Sequence, residues 1–236
     1  MLDTIASIVG MAAIAVNLVA FVNAVTDQRA RRLMLAALGG GWVGLASALG
    51  AQGLLGFAAE QPVPLIGVLF ALPLLAVGVA ALRSQRVRSA LLAIPQPLLI
   101  GLNSLRLLGV LFLLLAMQGR MSGPFPFAAG LGDMITGALA VPLALRMARA
   151  GRLPSRAVSR WNLFGSLDLV VAVTLGITSV SGSPLQLIHA GVGSEPMQYL
   201  PYCLIPTVLV PFYLITHAIV AAQLGAVRAA AAVSPA

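Results

Sequence analysis

PLLIGLNSLRLLGVLFLLLAM, residues 97–117, runs for twenty-one residues with a single charge, Arg106. A helix needs about 20 mostly apolar residues to cross a hydrocarbon core of roughly 30 Å, so this stretch reads as a transmembrane helix. Its apolar positions are continuous where a membrane barrel strand would alternate about every second residue, which excludes a β-barrel. Reading outward on the same rule gives six more spans, at about 5–26, 34–57, 63–82, 125–146, 161–181 and 199–222. The start of the fourth span is the least regular boundary, because Ile94-Pro95-Gln96-Pro97 interrupts the helical pattern and Leu91 to Ile94 reads as an interfacial stretch. Composition agrees: 60% of the 236 residues are hydrophobic, 8% are charged and the mean hydropathy is +1.01. Soluble domains are about 45–50% apolar and about 25% charged, so a soluble enzyme is excluded. Disordered chains are poorer still in hydrophobic residues. The fold class is therefore an all-α polytopic bundle of seven spans, one transmembrane domain over residues 1–236.

Charge sets the orientation. Arg29, Arg31 and Arg32 follow the first span, and Arg83, Arg86 and Arg88 the third. Arg146, Arg149, Arg152, Arg156 and Arg160 join the fifth to the sixth, and Arg228 follows the seventh. These twelve fall on one side and only Arg120 on the other, an asymmetry that predicts an outer N-terminus and a cytoplasmic C-terminus. The same distribution accounts for the +8 net charge without nucleic acid as a partner. The start, Met1-Leu2-Asp3-Thr4, lacks a basic n-region and precedes a run too long for a signal peptide, so it reads as a retained span. The expected location is a bacterial cytoplasmic membrane, with lipid as the obligatory neighbour.

Charged side chains inside a span carry a penalty of roughly 2.5–3.5 kcal/mol each on insertion scales and require a partner or a wet cavity. Three occur: Arg106 in the fourth span, Asp133 in the fifth and Asp168 in the sixth. At about 1.5 Å per residue their depths lie within roughly 9 Å of one another, inside the reach of an arginine. Asn103 shares a helix face with Arg106, and Thr136 with Asp133, at a spacing of three. Trp161, Gly165 and Asp168 form a stripe with Asn162 beside it, while Tyr202, Pro206, Tyr213 and His217 form another on the seventh span. Asn17 of the first span lies at about the depth of Asp168. The expectation is a polar, ligand-binding pocket in the cytoplasmic half, walled by spans four to seven and built from Arg106, Asp133, Asp168, His217, Asn103, Asn162 and Tyr213. The competing reading is a structural staple of three helices, although buried ion pairs add little stability once desolvation is counted. Pro201, Pro206 and Pro211 in the seventh span and Pro142 in the fifth each free a carbonyl that another group must satisfy.

No catalytic signature is present: there is no HExxH, P-loop, GxSxG or metal-spaced cluster, so no catalytic residue and no metal site is assigned. Lysine is absent, which rules out a retinal Schiff base. Cys203 is the sole cysteine and has no disulfide partner in the chain. His217 could ligate one tetrapyrrole, but it and His189 are too far apart in sequence position to suggest a bis-histidine haem.

The segments IPQPLLIGLNSLR, QGRMSGPFPFAAGLGDMITGALAVPLAL, WNLFGSLDLVVAVTLG and LIPTVLVPFYLITH resemble a group of uncharacterised bacterial polytopic inner-membrane proteins of about seven helices. The resemblance covers roughly residues 94–217 and carries Arg106, Asp133, Asn162, Asp168 and His217 as matching positions. It implies topology and names no activity. Three functions stay open on the residues alone. One is a transporter or sensor whose buried pocket binds a small molecule or conducts protons. Another is an accessory subunit of a larger photosynthetic, respiratory or secretion complex; a homo-oligomer is compatible with the first reading. The third is an intramembrane enzyme on lipid or isoprenoid substrates, with Asp133, Asp168 and His217 as acid or base.

Overall fold

The computed structural model describes residues 1–56, 64–150 and 155–233, and among them every regular element is helical. The ends of the second and third spans at residues 57 and 63, and Arg152 of the basic loop, lie outside the described residues, as does the side chain of Arg228. In chain order the elements are α1 (Leu2–Val25), α2 (Arg29–Ala51), α3 (Leu65–Arg83), α4 (Gln85–Leu92), α5 (Gln96–Leu102), α6 (Val110–Met117), α7 (Phe125–Ala150), α8 (Ser155–Ser179) and α9 (Val210–Val233). A 3-10 segment, Asn103–Gly109, welds α5 to α6, and a π-helical segment, Ile205–Leu209, leads into α9. Seven of the resulting helical rods are long and apolar enough to cross a membrane. Short α4 is not one of them. It precedes the Leu91 to Ile94 stretch that the sequence reads as interfacial, overlapping it only at Leu91 and Leu92, and Ser84 caps it by accepting from the Val87 amide at 3.4 Å.

Prolines shape the path, and at two of the breaks a side chain of another helix supplies hydrogen bonds to the backbone. Pro95 and Pro97 bring no amide hydrogen to the α4–α5 junction. There Gln223 of α9 donates to the Leu92 and Ile94 carbonyls at 3.1 and 2.8 Å. Pro211 cannot bond the carbonyl of Thr207 four residues back, and the Trp42 indole of α2 donates to that oxygen at 3.0 Å. Trp42 therefore completes the seventh span's hydrogen bonding where water is absent. The π turn also inserts an extra residue into the helical count. It removes Tyr202 from the stripe of Tyr213 and His217 that a uniform 100° per residue predicts. Tyr202 sits in the turn before the span, where its hydroxyl donates to Asp3 at 2.7 Å and the ring lies 5.4 Å below Arg120. Arg120 pairs with Asp3 at 2.5 Å, so the start of α1 and the turns before α7 and α9 are tied at one end of the bundle.

In the 3-10 segment the Asn103 side-chain amide takes the Leu99 carbonyl at 2.9 Å, a local competitor of the helical ladder. This tightened stretch packs backbone to backbone against α7. A Cβ on Gly137 would lie 2.8 Å from the Leu107 nitrogen and 3.1 Å from the Ser104 carbonyl, so only glycine allows the approach. In a bilayer, such small-residue contacts replace the hydrophobic drive of water. The core forms three apolar clusters along the axis. Phe112, Leu115 and Phe125 belong to the cluster near the N-terminal end, Leu69, Leu169 and Val210 to the middle one, and Leu99, Ala140, Trp161 and Val220 to the one at the far end. The fourth and seventh spans bury half of their most apolar windows, 50% each, whereas α2 and α3 bury 11% and 6%. The outer faces of α2 and α3 are thus bare.

Candidate functional site

Arg106 leaves the 3-10 segment pointing into the bundle, and it is 2% exposed. Its Nε donates to Asp133 of α7 at 2.7 Å, and its Nη2 donates to Asp168 of α8. Nη1 donates to the Gly165 carbonyl at 3.2 Å and lies 3.1 Å from His217 Nε2 of α9. A guanidinium has donors only, so His217 Nε2 must accept. The imidazole is then the Nδ1–H tautomer, and that hydrogen goes to Asn162 Oδ1 at 2.8 Å. Trp161 packs on the imidazole with ring centroids 4.9 Å apart, and its indole donates to the Thr136 carbonyl at 3.1 Å. On another side Tyr213 places its ring 5.8 Å from the guanidinium carbon, while its hydroxyl accepts from Asn17 at 3.1 Å.

One arginine thus joins three other spans: of the residues singled out from the sequence, Asp133, Asp168, His217 and Tyr213 surround it, and Asn162 reaches it through His217. Asn103 does not touch the guanidinium. It bonds Leu99 and, at 3.2 Å, Thr216 of α9, which in turn donates to the Tyr213 carbonyl. Two glycines make the convergence sterically possible. A Cβ on Gly165 would stand 2.6 Å from His217 Cε1 and 2.8 Å from Thr136 Cγ2, and one on Gly132 would fall inside the Asp168 carboxylate. Gly132 and Thr216 are positions of this cluster's surroundings that the sequence reading passes over. The small residue one position before a buried acid was the signal available for Gly132.

Electrically the cluster is lopsided. One guanidinium faces two carboxylates, and the imidazole adds no positive charge in its accepting tautomer. The side chains of Arg106, Asp168 and Asp133 are 0%, 8% and 17% exposed, so Asp133 is the most open member. Two hollows meet at it. The smaller, about 50 Å³, lies between α1, the fourth span and the turn at Pro201–Tyr202, and Arg106, Asp133 and Tyr213 line it. The larger, about 120 Å³, lies among α3, α7, α8 and the π-helical segment, with Asp133 as its one ionisable lining residue among the described residues. Asp133, Leu169, Ile205 and Val210 border both.

The hollows differ from the sequence expectation in position. Their linings come from Ala6 to Ile14 of α1, from Leu105 to Phe112, and from Gly176 and Met197, all in the half of the bundle that holds the N-terminus. The opposite half, where sequence spacing put the pocket, is filled by the cluster of Leu99, Ala140, Trp161 and Val220. Counting polar side chains locates the charges but not the voids, because voids depend on how apolar partners pack. Buried Asn17 Oδ1, Asn103 Oδ1 and Thr136 Oγ1, close to the cluster, have no hydrogen-bond partner among the described residues.

Seven membrane-length apolar helices around a buried ionic cluster define a multi-pass membrane protein of all-α fold. The chain belongs to the family described as domain of unknown function DUF8737, whose model matches residues 63–225. That match takes in Arg106, Asp133, Asn162, Asp168 and His217, and it extends to α3, which lines the larger hollow. No curated protein and no solved structure matches the chain.

Proposed function

We propose that this chain is a transporter- or sensor-like protein of a bacterial inner membrane. In this reading it binds a small molecule, or passes protons, at Arg106, Asp133, Asp168 and His217. The observation that carries the reading is the meeting of two hollows at Asp133, the most open carboxylate of a cluster with one more acid than base. Intramembrane ionisable residues are functional by default because a purely structural charge is expensive in hydrocarbon. Departures from regular α-helix at membrane depth often accompany cavities, and both the 3-10 and the π segment border these hollows. The twelve-to-one division of arginines supports an outer N-terminus, which would open the hollows toward the outside.

The test uses vesicles of the full chain loaded with a pH-sensitive dye, together with thermal shifts of the purified protein on adding small molecules. Asp168→Asn and Arg106→Gln are expected to lose the proton flux or the ligand-induced shift. Unchanged behaviour in both variants, with folding retained, removes the proposal.

The faces of α2 and α3 that the described residues leave uncovered favour a second reading, in which the chain is an accessory subunit of a larger membrane complex that packs on them. Mild-detergent purification separates the two. Constant elution within a larger assembly supports the second reading, and a stable monomer supports the first.

A further inference from the structure

We infer that the larger hollow takes an organic monocation, a protonated amine carrying an apolar body of about one ring, with its ammonium on Asp133. The inference rests on the small-molecule reading of the same site and names the chemistry of the ligand.

Size comes from the hollow. At about 120 Å³ it approaches the roughly 150 Å³ apolar cavity that accepts benzene. Its walls are mostly hydrocarbon and aromatic, including Ile66, Phe70, Phe112, Phe125 and Val173, with Ser194 and Gln198 as polar exceptions beside Asp133. Phe112 and Phe125 meet edge to face at 5.6 Å, so a π face is available to a ring or a cation.

Charge comes from Asp133. Its Oδ1 receives Arg106 Nε at 2.7 Å, and no hydrogen bond to its Oδ2 occurs among the described residues. With both carboxylates ionised the cluster carries one negative charge more than Arg106 satisfies, and one cation completes the balance. The same lining rejects the other classes. An anion would find no basic group among the described residues of this hollow, since Arg106 faces the smaller one. A bare metal ion needs a shell of about six to eight oxygens, and among the described lining side chains only Asp133, Ser194 and Gln198 carry any. A neutral apolar molecule would fill the space and leave the carboxylate without its counter-charge. A protonated amine satisfies both halves of the site.

The probes are benzylammonium, its neutral isostere benzyl alcohol and the anion benzoate, each measured by equilibrium dialysis against the full chain in detergent. Benzylammonium is expected to bind at least tenfold more tightly than benzyl alcohol. Asp133→Asn should remove that preference while leaving benzyl alcohol bound as before. Ala172→Phe, which places a ring in the hollow, should weaken both at least tenfold with the same monodisperse elution as the unaltered chain. Equal affinity for ammonium and alcohol overturns the inference, as does a preference that survives Asp133→Asn. Benzoate binding most tightly overturns the cation and leaves the small-molecule reading standing. Failure of all three probes also overturns the cation. The wider reading falls with it only when Asp168→Asn and Arg106→Gln are silent in the flux and thermal-shift measurements as well.

Discussion

Replacing Arg106 by glutamine would leave Asp133 and Asp168 facing each other across the space the guanidinium now fills. Arg106 is buried and holds both carboxylates, the Gly165 carbonyl and His217. Removing one partner from a buried ionic cluster typically destabilises by about 3–5 kcal/mol, because the remaining charge is uncompensated. At roughly 2–4 °C per kcal/mol for a chain of this size, Arg106→Gln should lower Tm by about 6–20 °C. The triple variant R106Q/D133N/D168N removes all the charge while keeping the volume, and neutral replacement of a buried cluster is often tolerated. It should therefore recover most of the loss. Asp133→Asn alone should lower Tm far less than Arg106→Gln, since a single guanidinium needs a single carboxylate. Thermal unfolding in one detergent, followed by tryptophan fluorescence, suits the question because Trp161 packs on His217 within the cluster. A Tm for Arg106→Gln within 2 °C of the unaltered chain, or a triple variant as unstable as the single, would refute the electrostatic reasoning.

Three other outcomes follow from the packing. Gly165→Ala forces a methyl against His217 and Thr136 and should destabilise by about 1–3 kcal/mol. Gly225→Ala, where a Cβ meets nothing within 4 Å, should be neutral or stabilising by up to about 1 kcal/mol, and the contrast in Tm is the check. Trp42→Phe leaves the Thr207 carbonyl unsatisfied and should lose roughly 1–3 kcal/mol. Adding Pro211→Ala restores a backbone amide to that oxygen and should return most of the loss, so a double variant no better than the single contradicts the account. Gln118→Cys should react with an impermeant thiol reagent added outside intact cells, while Gln28→Cys should react only after lysis. Cys203 is buried and should stay silent in both, and the reverse labelling pattern would invert the proposed topology.

Much of the site could be read from single residues. Arg106, Asp133 and Asp168 stand out because a charge in an apolar run needs a reason, and their depths follow from counting along helices of fixed rise. His217 and Asn162 came from the same spacing argument. Tyr202 shows where the counting stops. A uniform helix puts it beside Tyr213, but the π turn at Ile205–Leu209 shifts the phase and sends it to Asp3 at the end of the bundle. The half of the bundle that stays hollow was misplaced for a related reason: spacing sees the polar face of each helix and says nothing about how facing apolar side chains fill space. The share of α3 in the larger hollow had no polar signal to announce it.

The all-helical class and the buried charges that demand partners were settled by the chain's own chemistry, because hydrocarbon forces backbone groups to pair within each segment and penalises any lone ion. Which carboxylate stays open, which imidazole nitrogen accepts and where empty volume remains were decided by the tertiary structure. Those properties belong to distances between segments far apart in the chain, set by glycine contacts, a 3-10 stretch and a π turn that no local periodicity encodes.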